Sequence, residues 1–327
     1  MPTSVGAVKI AVGSSLEQVE CEPEVTARMR VSLPIGGERP ALARRALATP
    51  VVPFALRDPR THVAALMVLC GPDPGRVIRL HDDERVIGRD PNVDVPVADT
   101  TLSRRHASIA KQPGGTHLLR DLGSTNGTFI GMRRVEQATL RNGDRVQLGP
   151  NVVFRFLVAD SAELLEHQRL AGASTFDAVT GALDRASFCA RVDAVAERAD
   201  RDIAIVALRL DAVEHVDQAD GRASAEALLR SAAVYLVQAI RTDDVFGKGG
   251  GDQLAVALTS GGPADALAVA ERLRIGIAAL PTRTPLEASV GIAWLSESRS
   301  AGAALRRADV RAQAASRAGG NRVIAAD

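Results

Sequence analysis

Between His62 and Val158 no apolar run outlasts a strand, and turn residues interrupt every one of them. That texture leaves no room for long helices and points to short strands packed as a β-sandwich. Strands are expected near Ala64–Leu69, Arg76–Leu80, Arg85–Gly88, Ser108–Lys111, His117–Asp121, Thr128–Ile130, Thr139–Leu140, Arg145–Leu148 and Val152–Val158. Gly71-Pro72, His81-Asp82-Asp83, Pro113-Gly114-Gly115 and Asn142-Gly143-Asp144 supply the turn signals between them.

From Phe176 the pattern becomes an alternation of helices and strands. Helices are expected over Arg185–Ala199, Ala223–Arg241, Ala264–Ala279 and Ala301–Ala318. Strands fall over Ile203–Leu210, Asp244–Gly247, Leu254–Thr259 and Ala288–Leu295. This describes an α+β domain with a central, largely antiparallel sheet. Ser161–Ala171 reads as a connecting helix, with Ser161 as its N-cap. Before residue 62, Pro2, Pro23, Pro34, Pro40, Pro50, Pro53 and Pro59 break any periodicity, so a flexible arm with one strand at Val5–Val12 is expected. The layout is thus an arm (1–61), a sandwich (62–158), a connecting helix (159–175) and an α+β domain (176–327).

Composition narrows the class. A chain of 327 residues suits two domains, and its net charge of +1 excludes a strongly basic nucleic-acid binder. The total conceals a split. Residues 63–158 carry 13 basic and 10 acidic side chains (+3), whereas 159–327 carry 19 and 23 (−4). The basic module comes first, as anion recognition there would require. Cys21, Cys70 and Cys189 form no CxxC pair, so neither a disulfide framework nor a zinc site is indicated. No apolar run approaches the roughly 18 residues of a membrane span, and no signal-peptide pattern opens the sequence. A cytoplasmic protein with neither membrane nor nucleic acid as partner is expected.

Three constellations lie in order on the loops of the β segment. They are Gly88-Arg89, Ser103-Arg104-Arg105-His106, and the run from Asp121 to Thr128 (Asp-Leu-Gly-Ser-Thr-Asn-Gly-Thr). A phosphate monoester presents nearly two charges and three strong acceptors at neutral pH. Arginine offers it a planar fork of donors, and Ser, Thr and Asn side chains can complete the ring. Together the three stretches resemble the forkhead-associated (FHA) family over roughly residues 62–158. The resemblance implies that Arg89 and Ser103 hold the phosphate of a phosphothreonine. It places Arg104 and Thr125 at further phosphopeptide contacts and Asn126 on the peptide backbone. Gly88, His106 and Gly127 are structural by the same resemblance, His106 orienting the Ser103 loop. The partner implied is a threonine-phosphorylated protein of a Ser/Thr kinase pathway. The plainer alternative, that these residues only form turns, leaves Arg89 and Ser103 without a purpose.

The second domain opens with Asp177-Ala178-Val179-Thr180-Gly181-Ala182-Leu183-Asp184-Arg185 and continues with Arg209-Leu210-Asp211, Asp217 and Gly221. It turns at Gly250-Gly251-Asp252-Gln253-Leu254 and closes with Ala318-Gly319-Gly320-Asn321-Arg322-Val323. These stretches resemble the GGDEF (diguanylate cyclase) family over residues 176–327. Active members join two GTP molecules into cyclic di-GMP, using Mg²⁺ or Mn²⁺ held by carboxylates.

Here the motif is altered. Arg209 occupies the position of a metal-binding aspartate, and a cation there repels Mg²⁺ by about 4 kcal/mol per unit charge pair at roughly 4 Å and an effective dielectric near 20. Asp211 is expected on the opposite strand face from Arg209. Asp252 keeps one metal ligand, and Gln253 replaces a catalytic acid. The phosphate-holding Lys and Arg fall on Ser316 and Gly320, and the guanine readers on Asp217 and Glu226, a residual nucleotide site. No catalytic residue and no metal are therefore expected, with Asp252 the ligand if any. Arg241-Thr242-Asp243-Asp244 matches the family's RxxD inhibitory motif, which implies cyclic di-GMP at Arg241 and Asp244. An Arg–Asp pair at a strand entrance is also an ordinary solvated turn.

The expectation is a signalling adaptor. Its FHA domain binds phosphothreonine proteins, and its degenerate GGDEF domain either binds cyclic di-GMP or pairs with another GGDEF domain. No cofactor is expected. The alternative is a diguanylate cyclase regulated by FHA docking, with Mg²⁺ as its cofactor. One of Thr26, Thr49 and Thr61 in the arm is a further candidate for phosphorylation and docking by the protein's own or a sister FHA domain.

Overall fold

Among the described residues, the segment from His62 to Asp160 forms eleven strands. They are β1 (His62–Cys70), β2 (Val77–Arg79), β3 (Arg85–Gly88), β4 (Val95–Pro96), β5 (Ala107–Lys111), β6 (His117–Asp121), β7 (Thr128–Ile130), β8 (Arg133–Val135), β9 (Gln137–Leu140), β10 (Arg145–Leu148) and β11 (Val152–Asp160). They form two sheets, ordered β2-β1-β11-β10-β7-β8 and β4-β3-β5-β6-β9. Leu66, Val68, Phe154, Phe156, Ile87, Ile109 and Leu119 fill the space between the sheets. This computed structural model describes residues 62–172 and 175–325. The arm, its strand at Val5–Val12 and the threonines Thr26, Thr49 and Thr61 lie outside the described residues.

β1 and β11 are apolar on both faces because both faces are covered. One face lines the sandwich core. The other places Ala65, Leu157 and Ala159 against Leu164 of a helix, α1 (Ser161–Gly172). The expected cap of that helix moves back by one residue. Asp160 Oδ1 accepts from the Glu163 amide at 2.8 Å, and the Asp160 amide donates back to Glu163 Oε2 at 3.2 Å. The reciprocal pair is a capping box, and Ser161 is the first helical residue rather than the cap.

The second half contains α2 (Arg185–Ala196), β12 (Ala204–Leu210), α3 (Val213–Asp220), α4 (Arg222–Ala239), β13 (Val245–Lys248), β14 (Leu254–Leu258), α5 (Pro263–Ala278), β15 (Ala288–Trp294), α6 (Ala301–Arg317) and β16 (Val323–Ile324). The sheet runs β13-β14-β12-β15-β16, antiparallel except for β15 with β16. Side chains alternate along β12. Ala204, Val206, Leu208 and Leu210 join the core shared with α4 and α5. Ile203, Ile205 and Ala207 join the one shared with α2 and α6. The sheet is therefore sandwiched between two helical layers. Strands β4, β8 and β16 and the eight-residue α3 were not expected, being too short to display a period.

All described residues belong to one compact unit, Pro53–Asp327, in which the two halves are in contact. Cys70 and Val153 of the sandwich pack on Val234 and Val237 of α4. Burial pushes the Cys70 thiol up to about 12, so this cysteine is an inert core residue. Polar contacts surround the apolar patch. The Arg145 guanidinium donates to the carbonyls of Ile240 and, at 2.9 Å, Arg241. Arg155 donates to that of Thr242. Gln238 Nε2 donates to Gln147 Oε1. These carbonyls follow the C-terminus of α4, where the helix dipole favours a cation. Among the described residues no helix is long and apolar enough to cross a membrane.

Candidate functional site

The loops after β3, before β5 and after β6 converge at one end of the sandwich. Gly88 makes this possible, because a Cβ there would lie 2.2 Å from the Arg104 carbonyl oxygen. With that strand so close, the Arg89 amide donates to Ser103 O at 3.0 Å and Arg89 Nε to Leu102 O at 3.2 Å. The side chain is thus braced at Nε while remaining exposed. Ser103 Oγ accepts from the Thr125 amide at 3.1 Å and lies 3.4 Å from Thr125 Oγ1. Asn126 Nδ2 donates to Thr101 O at 2.7 Å. Arg104 is exposed beside them. The five side chains assigned by resemblance to a phosphopeptide therefore share one exposed rim.

Behind the rim lies His106, fully buried. Its Nδ1 accepts from the Ser103 amide at 3.2 Å, and its Nε2 lies 3.0 Å from Gly127 O. Those partners require the neutral tautomer with the proton on Nε2. The ring ties the Ser103 loop to the Thr125–Gly127 loop.

Asp121, not singled out from the sequence, organises the latter. It accepts from the amides of Gly123 and Ser124 and from the hydroxyls of Ser124 and Thr128. Burial alone would push its carboxyl up, but those hydrogen bonds outweigh it and hold the pKa below the usual range. The spacing Asp121…Ser124 was the available signal, since Asp side chains cap turns two or three residues on.

In the second half, the hairpin joining β13 to β14 closes through Gly249 N to Gln253 O and Gln253 N to Gly250 O, each 3.0 Å. Gln253 is buried, whereas Asp252 is half-buried. Arg222 donates to both Asp252 oxygens at 3.4 Å and to Glu226 Oε1 at 3.1 Å, so it sits between these two carboxylates. The Asp217 charge also acts on it. Arg209 turns elsewhere, pairing with Glu214 at 3.3 Å.

The expectation for Asp211 is corrected. Positions 209 and 211 are two apart, and a two-residue step returns to the same strand face. Asp211 accordingly meets groups on the α6 side, accepting from Ser289 Oγ at 2.7 Å, Ser316 Oγ at 3.0 Å and the Asn321 amide at 3.3 Å. These donors do not suit a divalent cation. One position is a guanidinium, Gln253 is neutral, and Asp252 already faces Arg222. Beneath the hairpin, burial raises the Asp309 carboxyl to about 6 despite Arg185 at 3.7 Å.

The RxxD stretch forms a turn. Asp244 accepts from the amides of Arg241 at 2.8 Å and Thr259 at 3.1 Å, and Arg241 donates to Ser260 Oγ. Sequence reading missed the two arginines that hold this turn from the sandwich side. Arg145 and Arg155 are direct cross-strand partners. Like charges placed opposite one another in a sheet are unfavourable without acceptors nearby, and that pairing was the clue.

Family models match both halves, an FHA domain over residues 85–149 and a diguanylate cyclase GGDEF domain over residues 174–322. The chain carries an FHA domain followed by a GGDEF domain. The FHA region is 41% identical over 86 residues to the glycogen accumulation regulator GarA of Mycolicibacterium smegmatis, covering 26% of this chain and 54% of that one. It is 36% identical to an oxoglutarate dehydrogenase inhibitor of Corynebacterium jeikeium, covering 26% and 59%. The chain thus spans little more than half the length of these curated relatives. The GGDEF half is similar to the coiled-coil and GGDEF structure of DgcB from Caulobacter crescentus in complex with c-di-GMP. That match has 22% identity, a TM-score of 0.44, and coverage of 50% of this chain and 91% of that one.

His106 gives the FHA domain a pH dependence. Burial lowers its pKa, and the hydrogen bond to Gly127 opposes this only in part. The folded state thus favours the neutral ring more than the unfolded state does. Its contribution to stability is complete above the ordinary histidine value of about 6.5 and is lost as pH falls below it. Chemical denaturation from about pH 7.5 to 5.5 should show wild-type stability falling more steeply than that of His106→Gln. Parallel curves would exclude the role.

Proposed function

We propose that this chain is a signalling adaptor whose FHA domain docks threonine-phosphorylated proteins and whose GGDEF domain is not catalytic. The observation that carries the first part is the exposed rim of Arg89, Ser103, Arg104, Thr125 and Asn126, braced by buried His106. Two guanidiniums, Arg89 and Arg104, stand there among neutral donors, as recognition of a dianionic phosphate requires. The partners are substrates of a Ser/Thr kinase pathway, and binding them uses no cofactor. Fluorescence anisotropy with a labelled phosphothreonine peptide should show saturable binding. Equal affinity for the unphosphorylated peptide would overturn the reading.

The second part rests on Arg209, Gln253, Ser316 and Gly320, which leave metal and phosphate recognition without their charges. Incubation with GTP and Mn²⁺ should yield no cyclic di-GMP by chromatography. Product that disappears on Asp252→Ala would establish the alternative, a cyclase regulated by FHA docking and using Mg²⁺. The remaining role of the GGDEF domain is pairing with another GGDEF domain or binding cyclic di-GMP at Arg241 and Asp244. Because Asp244 already accepts two backbone amides, pairing is the reading we favour. Heat from a cyclic di-GMP titration that Arg241→Ala abolishes would reverse that preference.

A further inference from the structure

A cavity of about 670 Å³ lies between the two domains, walled by the outer face of the β1–β11 sheet, α1, α2 and the turn after α4. Its volume falls within the range of small-molecule sites. Part of the wall is apolar, formed by Met67, Leu157, Leu170, Phe176 and Val195. The rest is basic. Arg145, Arg155, Arg191 and His167 all line it, coming from the sandwich, from α2 and from α1.

The cations are crowded. Burial, then Arg155 and Arg191, oppose protonation of His167, which Glu163 and Glu166 favour; burial and Arg191 likewise oppose the charge on Arg155, which Asp243 supports. Two acids line the same cavity, but neither forms an ion pair with these arginines among the described residues. Asp244 is engaged by two backbone amides, and Asp243 is exposed. Arg191 has no hydrogen-bond or ion-pair partner among the described residues. The Nε–H groups of Arg145 and Arg155 are buried with no acceptor. Buried donors without acceptors are uncommon and invite a ligand that supplies one.

We propose that this interdomain cavity binds a small organic phosphate of nucleotide size, its phosphate held by Arg155, Arg191 and His167 and its apolar or aromatic body against Phe176 and the aliphatic wall. An anion would relieve the mutual repulsion of the cations and accept from a buried guanidinium N–H. Contacts from both domains and from α1 would make its occupancy sensitive to how the FHA and GGDEF domains dock. The site is separate from the phosphopeptide rim, and the proposal does not depend on that rim's ligand.

The test is calorimetry on the full chain with GMP, inorganic phosphate and cyclic di-GMP as probes. GMP should bind with a Kd below about 1 mM, and inorganic phosphate, lacking the apolar body, more weakly. Arg191→Glu reverses a charge on an exposed side chain, so the fold should survive. It should weaken the binding of GMP by about tenfold or more while phosphothreonine-peptide affinity stays unchanged. Equal binding of GMP to wild type and Arg191→Glu would overturn the proposal, as would no heat from any probe at about 1 mM. Nucleotide binding that is lost in Arg222→Ala or Arg241→Ala but retained in Arg191→Glu would assign it to the hairpin or the RxxD turn and equally overturn it.

Discussion

Arg89→Ala should weaken phosphothreonine-peptide binding by about a hundredfold, with the thermal transition of the protein unmoved. The guanidinium is exposed and its side chain makes one internal hydrogen bond, to Leu102 O, so little of the fold depends on it. A doubly charged phosphate depends on it far more. Ser103, Thr125 and Asn126 offer only neutral donors, and Arg104 is a second cation on the same rim. Arg89→Lys keeps the charge but not the fork, so it should recover only part of the affinity. The wild-type interaction should also weaken as pH falls below about 6, where the phosphate becomes a monoanion. Anisotropy titrations of the three proteins across that range check each point. Unchanged affinity in Arg89→Ala would remove the phosphate from this rim.

Much of this site was legible because its signals are local. Gly88 directly precedes Arg89, and the Ser103 and Thr125 loops carry short runs of polar residues that only a turn or a binding loop would use. The β-sandwich was legible for a similar reason, since turn residues bound nearly every strand. Strands β4 and β8 escaped because two or three residues display no alternation. α3 escaped because Val213 and Val216 are its only buried residues.

The contacts between domains were not legible at all. Arg145 and Arg155 look like solvent-facing positions of an ordinary hairpin, and their acceptors lie more than eighty residues away on the turn after α4. Burial lowers the Arg145 pKa to about 10, yet the group stays charged at neutral pH. A guanidinium buried at a helix C-terminus is favourable only once the helix has arrived there. No residue near Arg145 in the sequence announces that arrival. The same holds for Asp211. Counting along the strand gives its face, but its donors Ser289, Ser316 and Asn321 come from β15, α6 and the segment after it, so its role depends on tertiary packing.

Packing at such long range also sets the largest expected stability effect. Gly291 stands in the middle of β15, between Ala207 of β12 and Ile324 of β16, on the face covered by α6. A Cβ there would lie 2.1 Å from Ala308 O and 2.4 Å from Ala312 N. Both are backbone atoms of a helix whose Ala304, Ala308 and Ala312 are fully buried against the sheet. A side-chain neighbour could rotate away, whereas a helix backbone has to move as a unit and carry Ala301, Leu305 and Ala315 with it. Gly291→Ala should therefore destabilise the GGDEF domain by about 3 kcal/mol, lowering its melting temperature by roughly 6–12 °C for a domain of this size. Phosphothreonine-peptide affinity, read at a temperature where both domains remain folded, should be preserved because the FHA rim lies on a separate core. Calorimetric melting of the variant measures the first effect and anisotropy the second. A melting temperature equal to wild type would mean that α6 does not lie this close to β15, and with it the placement of Ser316 beside Asp211 would have to be abandoned.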